Sequence, residues 1–146
     1  MRLKDPQATE SLGEAIAPLL RPGDCIALFG DLGAGKTSLC RGILRRLGFE
    51  GEVGSPTFPI VQVYEPPELR MPVWHVDLYR IKEPHELEEL GLDEAMATAA
   101  LLIEWPDRLP ALWPQTLRLS LEPDAQGGRR LTAQAPPAWE RRWPPQ

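Results

Sequence analysis

The chain has 146 residues, of which 42% are hydrophobic and 25% charged, a composition that suits one globular domain with its own core. The formal net charge of −5 argues against a protein whose main task is to coat nucleic acid. The sequence contains neither a signal-peptide pattern nor an apolar run long enough to span a bilayer, so we expect a cytoplasmic protein without membrane contact.

The first thirty residues predict a helix followed by a strand. Asp5 is a residue type that caps helices, and Pro6 is suited to a first helical turn. Apolar residues then recur at helical spacing as far as Pro18, which should end or kink the helix. Residues 25–29 are a short apolar run with the length of a buried strand.

A glycine-rich loop, Gly-Asp-Leu-Gly-Ala-Gly-Lys-Thr at residues 30–37, lies between this strand and a second helical pattern. It fits G-x-x-x-x-G-K-[ST], the motif that wraps the phosphates of a nucleoside triphosphate. Glycines let phosphate oxygens approach the backbone, and the amides that begin a helix attract anions. In this motif Lys36 reaches the β- and γ-phosphates, and the Thr37 hydroxyl binds Mg²⁺. The alternative is a glycine turn that only caps a helix.

The remaining chain alternates strands and helices. Strands are predicted at residues 60–64, 73–79, 101–105, 117–121 and 131–135, and helices at residues 83–91 and from about residue 93. Gly127 and Gly128 mark a hairpin loop between the last two strands. Because two of the connections are too short for parallel crossovers, some strands must pair antiparallel.

These elements predict an α/β fold, a single-domain P-loop NTPase with a mixed parallel and antiparallel sheet flanked by helices. We assign residues 1–135 to this ATPase domain. Residues 136–146, rich in Pro and Trp, have no periodicity. We expect this C-terminal tail to be mobile or irregularly packed.

Two acids end apolar strands, where an α/β sheet binds its ligands. Asp77 follows residues 73–76, and Glu104 follows residues 101–103. Burying a carboxylate in such a place is unfavourable unless it meets a cation or hydrogen-bond donors. Both acids are therefore candidates to serve Mg²⁺ or the attacking water, although either one could merely cap the next segment.

Three further features are open to interpretation. Thr57 lies where a switch segment could sense the γ-phosphate, although an ordinary turn is the simpler interpretation. His75 and Asp77 share one strand face, but no third ligand accompanies them to predict a metal site. Cys25 and Cys40 are expected to be buried thiols.

Together, these motifs resemble the TsaE (also called YjeE) family of bacterial P-loop ATPases. A P-loop alone is generic, whereas its combination with the other signatures is specific, and the resemblance covers about residues 5–129. Beside the loop, the matching signatures are Arg41-Gly42, Ser55-Pro56-Thr57-Phe58, His75-Val76-Asp77-Leu78-Tyr79-Arg80, Glu86-Leu87 with Leu90-Gly91, and Glu104-Trp105-Pro106.

The resemblance implies a weak ATPase required for threonylcarbamoyladenosine modification of tRNA, with ATP or ADP and Mg²⁺ as ligands. It implies that the chain acts with the TsaB and TsaD proteins and meets tRNA only through that complex. Thr37 and Glu104 would hold Mg²⁺, Lys36 would bind phosphate, and Asp77 would be the second functional acid.

The resemblance also assigns the nucleotide contacts. Thr57 would belong to a switch-like loop, and Pro6 and Gly128 would lie near the base. The residues assigned to binding the nucleotide are Pro6, Asp31, Leu32, Gly33, Ala34, Gly35, Lys36, Thr37, Ser38, Thr57 and Gly128.

Two other classes of function remain as alternatives. A small-molecule kinase would need an arginine-bearing lid, and no Arg-rich segment is placed to form one. A regulatory switch that selects guanine usually carries Asn-Lys-x-Asp, and this chain contains no asparagine.

Overall fold

A computed structural model describes residues 1–31, 35–54 and 60–145. Its strands are β1 (Arg2–Leu3), β2 (Cys25–Phe29), β3 (Val61–Tyr64), β4 (Val73–Asp77), β5 (Ala100–Glu104), β6 (Leu117–Pro123) and β7 (Arg129–Gln134). Its helices are α1 (Pro6–Ile16), α2 (Lys36–Arg46), α3 (Pro84–Leu90) and α4 (Leu92–Ala95), and short 3₁₀ turns span Ala17–Leu19, Pro106–Arg108 and Pro137–Trp139.

The described strands form one sheet in the order β1-β7-β6-β2-β5-β4-β3. The central strands β6, β2, β5 and β4 are parallel neighbours, whereas β1–β7, β6–β7 and β3–β4 pair antiparallel. The predicted single-domain α/β fold with a mixed sheet is therefore confirmed.

The sheet has an apolar layer on each face, which explains why β2 and residues 100–103 of β5 are apolar without alternation. Along β5, Ala100 and Leu102 belong to the layer that includes α1 and α2. Leu101 and Ile103 belong to the opposite layer, which includes residues of α4. Successive strand residues thus enter opposite layers, as the period of two requires.

Helices α1 and α2 pack closely because glycines lie at their crossing. A Cβ added to Gly42 would collide with the carbonyl oxygen of Glu10, and one added to Gly13 would lie 2.9 Å from the backbone nitrogen of Ile43. The Arg41 guanidinium reinforces the contact through a 3.2 Å ion pair with Glu10. This packing fixes α2, whose first turn carries the loop lysine.

Most element boundaries agree with the sequence predictions to within two residues. The helix from Pro6 ends before Pro18, where the predicted kink appears as a 3₁₀ turn. Strand β1 was not predicted, because two residues carry no periodic pattern. Strand β4 ends at Asp77, two residues before its predicted end. Within the described ranges, no helix is both long and apolar enough to cross a membrane.

The C-terminal tail packs irregularly against the domain, which is one of the two states expected for it. Trp139 is completely buried in the α1–α2 layer. Arg142 lies 3.9 Å from the centre of the Trp139 ring and forms an ion pair of 2.7 Å with the buried Asp24. The domain division after residue 135 stays a prediction, but Trp139 and Arg142 are buried against the domain.

Candidate functional site

The two acids predicted from strand ends lie side by side. In the register of the parallel pair β4–β5, Asp77 is the direct partner of Glu104. Strand β2 flanks β5 on the other side, with Leu28 opposite Glu104, and the chain continues from β2 into Gly30. The carboxyl ends of three parallel strands therefore place both acids beside the start of the glycine loop.

Lys36 is the cation of this site. It begins α2 directly after Gly35, whose φ of 103° places it in the left-handed region that glycine adopts without strain. The Lys36 ammonium donates a 2.7 Å hydrogen bond to the carbonyl of Gly30. Burial lowers the pKa of Lys36, and the nearby carboxylates of Glu104 and Asp77 oppose that shift.

An aromatic pair borders the lysine. Trp105 follows Glu104, and its ring centre lies 4.1 Å from the Lys36 ammonium, a cation–π contact. The exposed Tyr79 ring lies 4.9 Å from the Trp105 ring. Trp105 has a φ of 58°, a left-handed conformation that costs an L-residue roughly 1–2 kcal/mol. Strain of this kind, next to a buried acid, is typical of functional sites.

Asp77 and Glu104 differ in their hydrogen bonds. Asp77 accepts a 2.9 Å hydrogen bond from the Tyr79 amide, so it does cap the segment that follows it. Glu104 meets the imidazole of His75, with 2.6 Å between Oε2 and Nε2. His75 thus contacts Glu104 rather than only sharing a strand face with Asp77.

Cys40 lies next to this His–Glu pair. The ligand atoms of Cys40, His75 and Glu104 all lie within 4.8 Å of one another, and all three residues are buried. Burial raises the pKa of the Cys40 thiol well above its usual 9.0, which favours the neutral thiol. The predicted burial of Cys40, and of Cys25, is confirmed.

A cleft of about 270 Å³ opens beside the first turn of α2. It lies between the N-terminal segment, α2 and the loop that joins β6 to β7. Pro6 and Gly128, the two residues expected near a nucleotide base, both line it. The complete lining is Lys4, Asp5, Pro6, Thr9, Gly35, Ser38, Gly128 and Arg129.

The other predicted residues have different outcomes. Thr37 and Ser38 lie in the first turn of α2, and Asp31 follows Gly30 at the exposed edge of the site. Leu32, Gly33, Ala34 and Thr57 lie outside the described residues. Their assignments remain predictions.

Three residues of this region received no role from the sequence. Thr9 and Arg129 line the cleft, and Asp107 is among the acids whose negative charge raises the pKa of Lys36. An arginine directly after the hairpin glycines was the available signal for Arg129. No sequence signal identifies Thr9 or Asp107, because helix and turn packing bring them here.

The groups at this site are of the types that bind a nucleotide and Mg²⁺. The α2 N-terminus offers backbone amides to phosphate, Lys36 offers a cation, and the adjacent carboxylates offer the oxygen ligands that Mg²⁺ prefers. The cleft continues from the α2 N-terminus and has the concave, mixed lining of a small-molecule site.

Comparison with known proteins gives a consistent family. The model of the family described as "Threonylcarbamoyl adenosine biosynthesis protein TsaE" matches residues 3–131. Proteins named "tRNA threonylcarbamoyladenosine biosynthesis protein TsaE" are similar to the chain. The Synechocystis protein is 46% identical, over 75% of this chain and 71% of the relative, and the Rickettsia bellii protein is 40% identical, over 79% of each.

A solved structure extends the likeness to the fold. The crystal structure of Bacillus subtilis YdiB superposes with a TM-score of 0.74 at 28% sequence identity. The alignment covers 92% of this chain and 83% of YdiB. With the family match over most of the chain and the strand-end acids beside the lysine of the glycine loop, the chain belongs to the TsaE family.

Proposed function

We propose that this protein is a Mg²⁺-dependent ATP-binding and weakly ATP-hydrolysing subunit required for threonylcarbamoyladenosine modification of tRNA. The observation that carries the proposal is the meeting of Lys36, Asp77 and Glu104 at the carboxyl ends of parallel strands, beside the N-terminus of α2. Family membership supplies the biological process.

ATP is proposed to lie across the α2 N-terminus, with its base in the cleft. Lys36 would neutralise phosphate charge, and the amides at the start of α2 would donate hydrogen bonds to phosphate oxygens. The backbone around Pro6 and Gly128 would face the base. Gly128 suits a crowded wall, because a Cβ there would collide with the backbone of Leu3 and Lys4.

Charge explains why Mg²⁺ is required in this proposal. The negative charges of four acids, Glu104, Asp77, Asp107 and Asp31, oppose the lowering of the Lys36 pKa by burial. Two like unit charges 4 Å apart repel by roughly 4 kcal/mol at an effective dielectric constant of 20. A triphosphate beside several carboxylates therefore needs more positive charge than one lysine provides. Mg²⁺ supplies that charge when bound, and Thr37 and Glu104 are the residues proposed to hold it.

Glu104 and Asp77 have different proposed roles. Glu104, nearly buried and adjoining Lys36, is suited to hold the metal. Asp77, whose Oδ1 is engaged with the Tyr79 amide, is suited to orient the attacking water. Trp105 shields the Lys36 ammonium from solvent on one side, which strengthens its attraction for phosphate.

TsaB and TsaD are the proposed partners, with tRNA reached through them. The test is a reconstitution of TsaB, TsaD, tRNA and threonylcarbamoyl-adenylate, with and without this chain. We expect multiple-turnover modification only when the chain and ATP are present. Lys36→Ala should abolish the effect, and Lys82→Ala, which removes an exposed lysine, is the matched control.

Three results would contradict the proposal. If tRNA modification proceeds equally well with and without this chain, the protein has no role in the process. Tighter binding of GTP than of ATP would favour a regulatory switch. Stoichiometric phosphate transfer to a small molecule would favour a kinase.

A further inference from the structure

His75 is a fully buried polar residue inside an otherwise apolar layer. It lies on β4 opposite Leu102, two residues before the Asp77–Glu104 pair. Its side chain has no exposed surface, and that of Glu104 is 4% exposed. The 2.6 Å contact between the two groups is therefore shielded from water, where a hydrogen bond to a carboxylate is strong.

Packing alone does not explain this histidine. Its Nδ1 is buried, and no hydrogen-bond partner for it lies within the described part of the chain. Leaving such an atom unpaired is destabilising. An apolar side chain of similar size would fill the same space without that penalty, but it would leave the Glu104 carboxylate without this donor. The imidazole therefore lowers stability at one nitrogen while it engages a functional acid through the other.

The contact restricts what the Glu104 carboxylate can do. A glutamate side chain has three rotatable bonds, and a ligand that must order them loses affinity through the entropy cost. His75 orders it in advance by occupying Oε2. Oε1 is then the oxygen left for a metal ion or water.

We infer that His75 is a positioning residue, which holds the Glu104 carboxylate in the orientation that Mg²⁺-dependent ATP hydrolysis requires. The inference rests on the proposed function of Glu104. It adds a role for the histidine that begins the segment His75-Val76-Asp77-Leu78-Tyr79-Arg80. Acting through Glu104, the imidazole need not touch the nucleotide.

The test compares His75→Leu, which removes the donor, with His75→Gln, which keeps a nitrogen donor at similar reach. Positioning partners of metal ligands typically contribute 10–100-fold to activity or metal affinity. We expect His75→Leu to lower kcat at least 10-fold and to raise the Mg²⁺ concentration for half-maximal turnover. Nucleotide affinity without Mg²⁺ should change less than twofold, and His75→Gln should recover part of the loss.

The comparison of the Leu and Gln variants separates positioning from a structural role. His75→Leu removes the orphaned Nδ1 but leaves the buried Glu104 carboxylate without its donor, so its melting temperature should fall, and turnover is compared at a temperature where both variants are folded. The second histidine, His85, is exposed on α3, and His85→Leu should leave turnover and its Mg²⁺ dependence unchanged. Equal loss of activity in the Leu and Gln variants, measured where both are folded, would overturn the inference.

A crystal structure of either His75 variant gives a result independent of turnover. In His75→Leu the Glu104 carboxylate should leave its wild-type position, and in His75→Gln it should keep it. If Glu104 stays in place without the imidazole, the inference is wrong even if ATP is hydrolysed. If instead the wild type shows no Mg²⁺-dependent hydrolysis with its partners, the proposed function fails, while the position of Glu104 still decides the role of His75.

Discussion

At the scale of single residues, the central feature of the site is Lys36, a buried cation with carboxylates nearby. Lys36 is 4% exposed, and its ammonium contacts the carbonyl of Gly30 and the ring of Trp105. Such a lysine can exchange the Gly30 carbonyl for a phosphate oxygen at little cost, because one hydrogen bond replaces another.

Substituting Lys36 or Glu104 by alanine should impair different steps, nucleotide binding in the first case and hydrolysis in the second. Lys36→Ala removes the phosphate-binding cation, so we expect ATP and ADP affinity to fall at least about 10-fold, since charged hydrogen bonds contribute about 1.5–3 kcal/mol. Glu104→Ala should keep binding but lower Mg²⁺-dependent hydrolysis by roughly 10²-fold, as expected when one electrostatic contact to the transition state is lost. Calorimetry and a phosphate-release assay measure the two effects. Unchanged Mg²⁺-dependent turnover by Glu104→Ala would remove this acid from the site.

At the scale of elements, the position of the site depends on how closely α2 approaches α1. The two helices cross through Gly13 and Gly42, and the α1 segment also forms part of the cleft wall at Pro6 and Thr9. Any increase in their separation would move the α2 N-terminus relative to that wall. The glycines therefore connect the packing of the two helices to the geometry of the cleft.

Gly42→Ala tests this connection. The added methyl would meet the backbone of Glu10. Because backbone cannot move aside as a side chain does, we expect a loss of about 1–3 kcal/mol in the free energy of unfolding, together with weaker nucleotide binding. Gly54→Ala is the control, since nothing lies within 4 Å of a Cβ at that position. Urea unfolding that gives equal stabilities for the two variants would contradict the close-packing argument.

At the scale of the whole molecule, the tail completes the core. The guanidinium of Arg142 donates to both carboxylate oxygens of Asp24, at 2.7 and 3.0 Å, and to the carbonyl of Leu19. Asp24 also accepts from the Arg21 amide, in the turn that leads into β2. The buried ion pair thus joins the last residues of the chain to the strand that carries the glycine loop.

Arg142→Met should destabilise the protein strongly. It leaves the Asp24 carboxylate buried without its cation, and breaking a buried pair in this way typically costs about 3–5 kcal/mol. The neighbouring Arg141 is exposed, so Arg141→Met is a matched control with a small expected effect. Denaturant unfolding of both variants decides the matter. A tail that contributed nothing to the fold would give two indistinguishable unfolding curves.

Local patterns account for most of what could be predicted. The Asp5 cap, the Pro18 kink, the strand that precedes the glycine loop and the late hairpin are each encoded by neighbouring residues, so the sequence is sufficient to predict them. Strand β1 is too short for such a pattern, and it pairs with β7, a strand near the other end of the chain. Its existence is thus a consequence of tertiary structure.

The candidate site, too, has features that the sequence shows and features that depend on tertiary structure. Residues 30–37 and the acids that end two apolar strands are visible in the sequence, and so is the resemblance to one family. That Asp77 and Glu104 are neighbours depends on the strand order, which places β4 beside β5. The His75–Glu104 contact joins residues 29 positions apart, and the Arg142–Asp24 pair joins residues 118 apart. Such contacts follow from the arrangement of whole elements, and no periodicity along the chain records them.

The sequence by itself thus determined the glycine-rich loop motif, the candidate acids and the α/β class, because motif and periodicity act over a few residues. Only the tertiary structure decided which acids adjoin Lys36, which histidine holds Glu104, and that the tail belongs to the core. The physical reason is that a buried charge is stable only beside a partner. In this chain those partners come from distant segments, which meet when the sheet is complete.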